Sequence, residues 1–194
     1  RVLKIEDNED VFACSGFPAD CTLMGIAHLM QNRPDIVVSG INRGANLGQD
    51  IYYSGTMAAA REAVFRDIPA IAVSTVCDFN QGPEHPIYFS SAANFILKLL
   101  REDILSIFPK LHVLNVNVPD VKESDLKHPV LADLGMRYYS EEISPRKDFR
   151  GKEYFWLGGV YKGHCETQGT DCVAVDNKHV SVSLLNLLGK KAEK

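Results

Sequence analysis

The sequence predicts an α/β protein: a Rossmann-like, doubly wound, mainly parallel sheet followed by an extended β-rich carboxyl-terminal arm. Three observations carry this. Strand-length apolar runs alternate with segments of helical period, which is the pattern of helices packed on both faces of a parallel sheet. The stretch "DIVVSG" (35–40), a glycine-rich loop, "TMAAAREAVFRD" (56–67) and "IPAIAVST" (68–75) read together as one βαβ unit. After Asp120 the texture changes to charged and aromatic segments such as "RYYSEEISPRKDFRGKEYFWLGG" (137–159), which have no helical period.

Each element follows in order. Residues 1–14 alternate at Val2, Ile5, Val11 and Ala13, which predicts strands around a turn at Asn8. "FPADCTLMGIAHLMQNRP" (17–34) predicts a helix that opens on Pro18, carries Cys21, Met24, Ala27, His28 and Leu29 near one face, and ends before Pro34. "DIVVSG" is a continuous apolar strand suited to burial on both faces. The helix after the loop repeats Met57, Ala60 and Val64 on one side. A further helix fits residues 88–102 through Phe89, Ala93, Ile96, Leu97 and Leu100. "LHVLNVNVP" (111–119) is a strand closed by Pro119, and "HVSVSLLNLL" (179–188) is a last strand. The division this suggests is a core over residues 1–119 and an arm over 120–194.

Composition narrows the function classes. With 194 residues, 45% hydrophobic and 24% charged, the chain has the profile of a globular protein with a sizeable core. A net charge of -4 and a pI near 5.9 supply no basic field for a nucleic-acid polymer. Apolar runs fall far short of the ~20 residues that span a bilayer, so no membrane segment is expected. The acidic, alternating start does not resemble a signal peptide. Five cysteines without a C-x-x-C spacing indicate neither a disulfide framework nor a zinc site. Reduced thiols and a cytoplasmic location are the expectation. The histidines, among them His28, His112, His128, His164 and His179, sit in no recognisable catalytic motif; His85 falls in a loop beyond a strand end.

The stretch "SGINRGANLGQDIYYSGT" (39–56) holds four glycines, two asparagines and one acidic residue between a strand and a helix. In an open α/β sheet, ligands bind beyond the carboxyl ends of strands, where this loop must lie. Glycines let the backbone approach a ligand and expose amide donors. "YSGT" stands at a helix start, so the Ser54 and Thr56 hydroxyls and the first amides converge on a phosphate-shaped site. The plainer reading makes Ser54 or Thr56 an N-cap only. Neither G-K-[ST] nor G-x-G-x-x-G occurs, so the two familiar nucleotide loops do not explain the stretch. Asn42 and Asn46 add neutral oxygens suited to a hard cation.

Residues 34–63, "PDIVVSGINRGANLGQDIYYSGTMAAAREA", resemble the signature of the SurE (survival protein E) family of nucleotidases. "SGFPADC" is similar to that family's G-T-P-A-D-C, and "LNVNVP", "RYY", "DFRGKEYFWLGG" and "GTDCVAV…VSVSLL" follow in family order from about residue 11 to residue 188. The resemblance implies a metal-dependent phosphomonoesterase that hydrolyses nucleoside 5′- and 3′-monophosphates, with a divalent cation, Mg²⁺ or Mn²⁺, as cofactor. It makes Asn42 a metal ligand and so a catalytic residue. It makes Ser54, Gly55 and Thr56 the phosphate-binding residues, with Gly44 and Asn46 lining the same loop. It also implies a homodimer or homotetramer built partly by exchanged carboxyl-terminal segments.

One departure bears on activity. The family opens with a strand ending in T-N-D-D-G, whose two aspartates ligate metal, and this motif does not occur in residues 1–194. Asp7 and Asp10 fall in a variable region of the family pattern and do not replace them. The expectation is an amino-terminally incomplete nucleotidase, inactive without those aspartates. Smaller departures are Phe17, Gln49, Phe149 and "VSVSLL". Two other readings stay open. One is a non-catalytic nucleotide- or phosphate-binding domain. The other is an assembly module whose Tyr138, Tyr139, Tyr154, Phe155 and Trp156 meet a second subunit. Among carboxylates inside the chain, Asp50 and Asp171 are next in line for the site, with a structural turn role expected for Asp171.

Overall fold

Short β-branched and alanine-rich runs set the centre of this molecule. The structure is a computed structural model that describes residues 2–4, 10–78, 84–102, 104 and 108–189. Strands β1 (Val2–Lys4) and β2 (Phe12–Cys14) pair antiparallel, with Val2 opposite Cys14. The expected turn at Asn8 lies outside the described residues. Helix α1 (Pro18–Met24) opens on Pro18, and the Asp20 carboxylate accepts the Phe17 N–H at 2.7 Å. The helix widens into a π-turn at Gly25–Leu29 and stops at the extended Met30, short of Pro34.

The main sheet is built from β3 (Val37–Arg43), β4 (Ala70–Val76), β5 (His112–Pro119), β6 (Lys127–Leu131) and β11 (His179–Asn186). Its order is β3-β4-β5-β11-β6. The pairings β3 to β4, β4 to β5 and β11 to β6 are parallel, and β5 to β11 is antiparallel, so the expected mainly parallel α/β sheet is present. Both β6 and β11 come from beyond Asp120, so the core is not closed at residue 119. The final third of the chain returns to complete it.

Alternation along the strands places a helix on each face. Ala70 and Ala72 of β4 and Val113 of β5 pack with Met57, Ala60, Ala63 and Val64 of helix α2 (Gly55–Val64). Ile71, Val73, Leu114, Val116 and Val118 face the other way, onto Ala92 and Ile96 of helix α3 (Phe89–Arg101). Alanines on both sides of the α2 contact are fully buried, which lets the helix lie close to the sheet. Toward the strand ends the α2 face turns polar. Asn115 and Asn117 of β5 stand opposite Ser183 and Ser181 of β11, all buried.

The rest forms the expected arm. β7 (Arg137–Tyr139) pairs with β10 (Tyr161–His164), and β8 (Glu142–Lys147) pairs with β9 (Glu153–Gly158). Ile143, Phe155, Trp156 and Leu157 of the second hairpin are exposed. A short helix α4 (Asp171–Asp176), not expected from the sequence, precedes β11. Among the described residues, no helix is long and apolar enough to cross a membrane.

Candidate phosphate-binding site

The loop begins inside β3. Ser39 pairs with Ala72 and Asn42 with Ser74, so β3 spends three steps where β4 spends two, a bulge at Gly40 and Ile41. Gly40 has φ 130°, and a Cβ there would stand 2.4 Å from the Val73 carbonyl oxygen, so only glycine fits. The bulge re-aims the strand end that carries Asn42. Asn42 is half-buried, and its Nδ2 donates to the Gly44 carbonyl at 3.0 Å, which fixes the amide and leaves Oδ1 as its open acceptor.

The next residues are tied down from below. The buried Gly44 donates its N–H to the Thr75 carbonyl at 2.9 Å. Asn46 is 5% exposed and tied at three atoms: its N–H donates to Asn117 Oδ1 (2.9 Å), its Nδ2 to Ser74 Oγ (2.6 Å), and its carbonyl accepts from Asn115 and Asn117 (2.9 and 3.0 Å). Gly44 and Asn46, expected along the phosphate loop, therefore lie beneath it and hold it to the sheet.

Asp171 is fully buried and accepts three backbone N–H bonds at 2.8 Å each, from Gly48, Gly135 and Cys172. It joins the loop to the chain just before β7, a structural part of the kind expected for it. Burial, with Asp171 adding to it, pushes the neighbouring Cys172 thiol up to about 12. Asp50 is also committed. It pairs with Arg137 Nη1 at 2.5 Å and accepts the Tyr139 hydroxyl. Burial, followed by that bond to Asp50, holds the Tyr139 hydroxyl well above the ordinary tyrosine value.

A short 3₁₀ turn (Gly48–Tyr52) carries the chain to the start of α2. Ser54 is the N-cap, its Oγ accepting the Met57 N–H at 3.1 Å. Gly55 and Thr56 follow, half-buried, and their amides have no partner within the helix. A Cβ on Gly55 would come within 2.8 Å of Pro18 Cγ, so this glycine lets α1 close on the helix start. The structure thus gathers Ser54, Gly55 and Thr56 at one dipole-favoured point, with Asn42 at the loop's other end. His85 is exposed. Arg137 and the asparagine network under the loop were not legible as site parts, because their partners are far apart in sequence.

The comparisons with known proteins bear on this same segment. The family model described as "Survival protein SurE" matches residues 1–141, which include the loop and β7. The chain belongs to the SurE family. A protein of Geotalea uraniireducens named 5′-nucleotidase SurE is 44% identical over 187 residues, covering 96% of this chain and 73% of that protein. One of the same name from Thermosipho melanesiensis is 37% identical over 187 residues, covering 96% and 71%. The crystal structure of the SurE protein from Aquifex aeolicus superposes with a TM-score of 0.76 at 35% identity, covering 96% of this chain and 73% of that one. The SurE fold and the α/β sheet described above are therefore the same architecture.

A hard divalent cation takes oxygen ligands and gains most of its attraction from carboxylates. Among the described residues of this SurE chain, no three His, Cys, Asp or Glu gather as a metal group. Asp50 and Asp171 are spent on other partners. Asn42 alone, a neutral oxygen, does not make a fitting site.

Proposed function

We propose that this chain is the phosphate-holding part of a phosphomonoesterase that converts nucleoside 5′- and 3′-monophosphates to nucleoside and inorganic phosphate. The observation that carries the reading is the Ser54, Gly55 and Thr56 helix start, lying at the carboxyl edge of a parallel sheet in a chain 44% identical to a protein named 5′-nucleotidase SurE. The first amides of α2 and the hydroxyls of Ser54 and Thr56 are donors for phosphoryl oxygens, and the helix dipole favours their charge. The Ser54 carbonyl and Oγ accept from Ala58 and Met57, so these donors are fixed before a ligand arrives.

A divalent cation, Mg²⁺ or Mn²⁺, would supply charge neutralisation at the phosphoryl group; Asn42 is the oxygen this chain offers it, and the carboxylates it needs are not found among the described residues. The Asn42 amide is oriented through its bond to the Gly44 carbonyl. The exposed apolar side of β8 and β9 fits a second copy of the chain, so we also propose a homodimer or homotetramer in the cytoplasm.

The test is phosphate release from 5′-AMP and 3′-AMP by the protein expressed from its complete reading frame, with Mg²⁺, with Mn²⁺ and with chelator. Metal-dependent turnover is expected. Tight phosphate binding by calorimetry without turnover would replace this reading with the non-catalytic one. No phosphate binding at all would remove the site.

A further inference from the structure

The 3₁₀ turn that delivers the chain to Ser54 is gripped by the root of the arm. Gln49 and Arg137 form a reciprocal pair: the Gln49 Nε2 donates to the Arg137 carbonyl at 2.7 Å, and the Arg137 N–H donates to Gln49 Oε1 at 2.8 Å. The next residue, Asp50, takes the Arg137 guanidinium at 2.5 Å, with the two side chains only 15% and 21% exposed. The guanidinium lies 4.4 Å from the Tyr161 ring centre and 5.4 Å from that of Tyr139. Tyr139 closes the set through its hydroxyl on Asp50.

The grip fixes the outer side of the turn, which Asp171 and Ile51 hold from below. Its 3₁₀ helix runs from the Asp50 N–H on the Leu47 carbonyl to the Tyr53 N–H on the Asp50 carbonyl, with the Gly48 N–H on Asp171 and Ile51 buried in the core. Tyr52 and Tyr53 are both exposed and anchor nothing below them. Asp50 is thus the point where both the backbone path to Ser54 and the contact to β7 meet.

We propose that Arg137 is a positioning residue for the phosphate site: stacked on Tyr161 and paired with Asp50, it sets the pose of residues 48–53 and hence where Ser54, Gly55 and Thr56 begin α2. It touches no phosphate itself. The proposal rests on the reading of that helix start as the phosphate site. Because Arg137 begins β7, whose chain runs on into the exposed β8–β9 hairpin, it also makes the arm's seating a determinant of phosphate affinity.

The test uses Arg137→Gln, Arg137→Lys and Gln49→Ala in the complete protein. Arg137→Gln raises KM for 5′-AMP and the inhibition constant of inorganic phosphate by about tenfold, the size of a weakened charge-assisted contact, with kcat within about twofold. General destabilisation would lower kcat through the folded fraction and leave KM alone. Arg137→Lys recovers part of the loss, since an ammonium pairs with Asp50 but neither forks nor stacks equally. Gln49→Ala keeps every charge and gives a smaller rise of the same kind, which covers the case in which Arg137→Gln fails to fold.

Hydrogen exchange gives a readout independent of turnover. In Arg137→Gln the Asp50, Tyr53 and Met57 amides exchange about tenfold faster while Val116 in β5 keeps its protection. Unchanged exchange at those three amides, or speeding that is equal at Val116, overturns the proposal even if the wild type is a nucleotidase. Local speeding in Arg137→Gln, found with a wild-type protein that binds no phosphate, leaves the clamp standing and removes the site reading instead.

Discussion

Replacing Asp171 with Asn tests how the loop is fastened. Asn can keep Oδ1 in place for Gly135 and Cys172, but its Nδ2 would then face the Gly48 N–H, donor against donor, where the carboxylate Oδ2 now accepts at 2.8 Å. The loss is one hydrogen bond to a charged acceptor, about 1.5 to 3 kcal/mol, together with a Gly48 amide left without a partner, about 1 to 3 kcal/mol more. Partial relaxation of the loop brings the expected cost to about 3 kcal/mol, which for a chain of this size is a fall in Tm of roughly 6 to 12 °C. Asp171 is fully buried, so water offers no easy replacement. The assay is urea unfolding followed by circular dichroism, with the midpoint and slope fitted together. Asp171→Ala, which removes both acceptor oxygens and with them all three bonds, should cost more. An Asp171→Asn protein within about 0.5 kcal/mol of the parent would refute the assignment of this carboxylate as the loop's anchor.

Ser54→Ala in the complete protein should weaken phosphate binding while the metal requirement stays fixed, whereas Asn42→Ala should raise the Mg²⁺ needed for half-maximal turnover; the capping loss in Ser54→Ala adds about 1 kcal/mol of destabilisation, read by calorimetry. Gly55→Ala should cost about 1 to 3 kcal/mol in urea unfolding, because its methyl meets Pro18 at 2.8 Å, and Gly25→Ala, with nothing within 4 Å, should not show this clash. The Cys172 thiol, raised from 9.0 to about 12, keeps its proton in the folded state where the unfolded chain loses it. Its contribution to stability is complete below pH 9.0 and is lost as pH rises toward 12, so alkaline titration of a Cys172→Ser variant should show a shallower decline.

The βαβ unit was legible because each piece carries its own local signal: two apolar runs, a helix period and four glycines at the join. The same holds for α3 and β5. Helix α4 escaped because "DCVAVD" is only six residues and its two valines read as strand. The place of β11 between β5 and β6 could not be read, since strand order is a property of pairing and "SVS" alternation says only which side chains share a face. The helix start at Ser54, Gly55 and Thr56 was legible because a helix cap is local. The Arg137 to Asp50 pair joins residues far apart in the chain, and nothing near either residue announces the other. That the Asn46 amide and carbonyl also tie the loop to Ser74, Asn115 and Asn117 is visible only once β4 and β5 lie side by side.

That asparagine network changes what mutational tolerance should look like along β5. Burial ordinarily predicts that apolar replacements survive and polar ones are purged. At Val113 and Val116 a saturation library should follow this rule. At Asn115 and Asn117, equally inaccessible, the selection runs the other way: valine or leucine removes the donors that hold the Asn46 carbonyl and leaves it stranded in the interior. A fitness map of the strand would therefore show two buried classes interleaved along its length, and a score that ranks substitutions by hydrophobicity alone would misjudge the residues nearest the site.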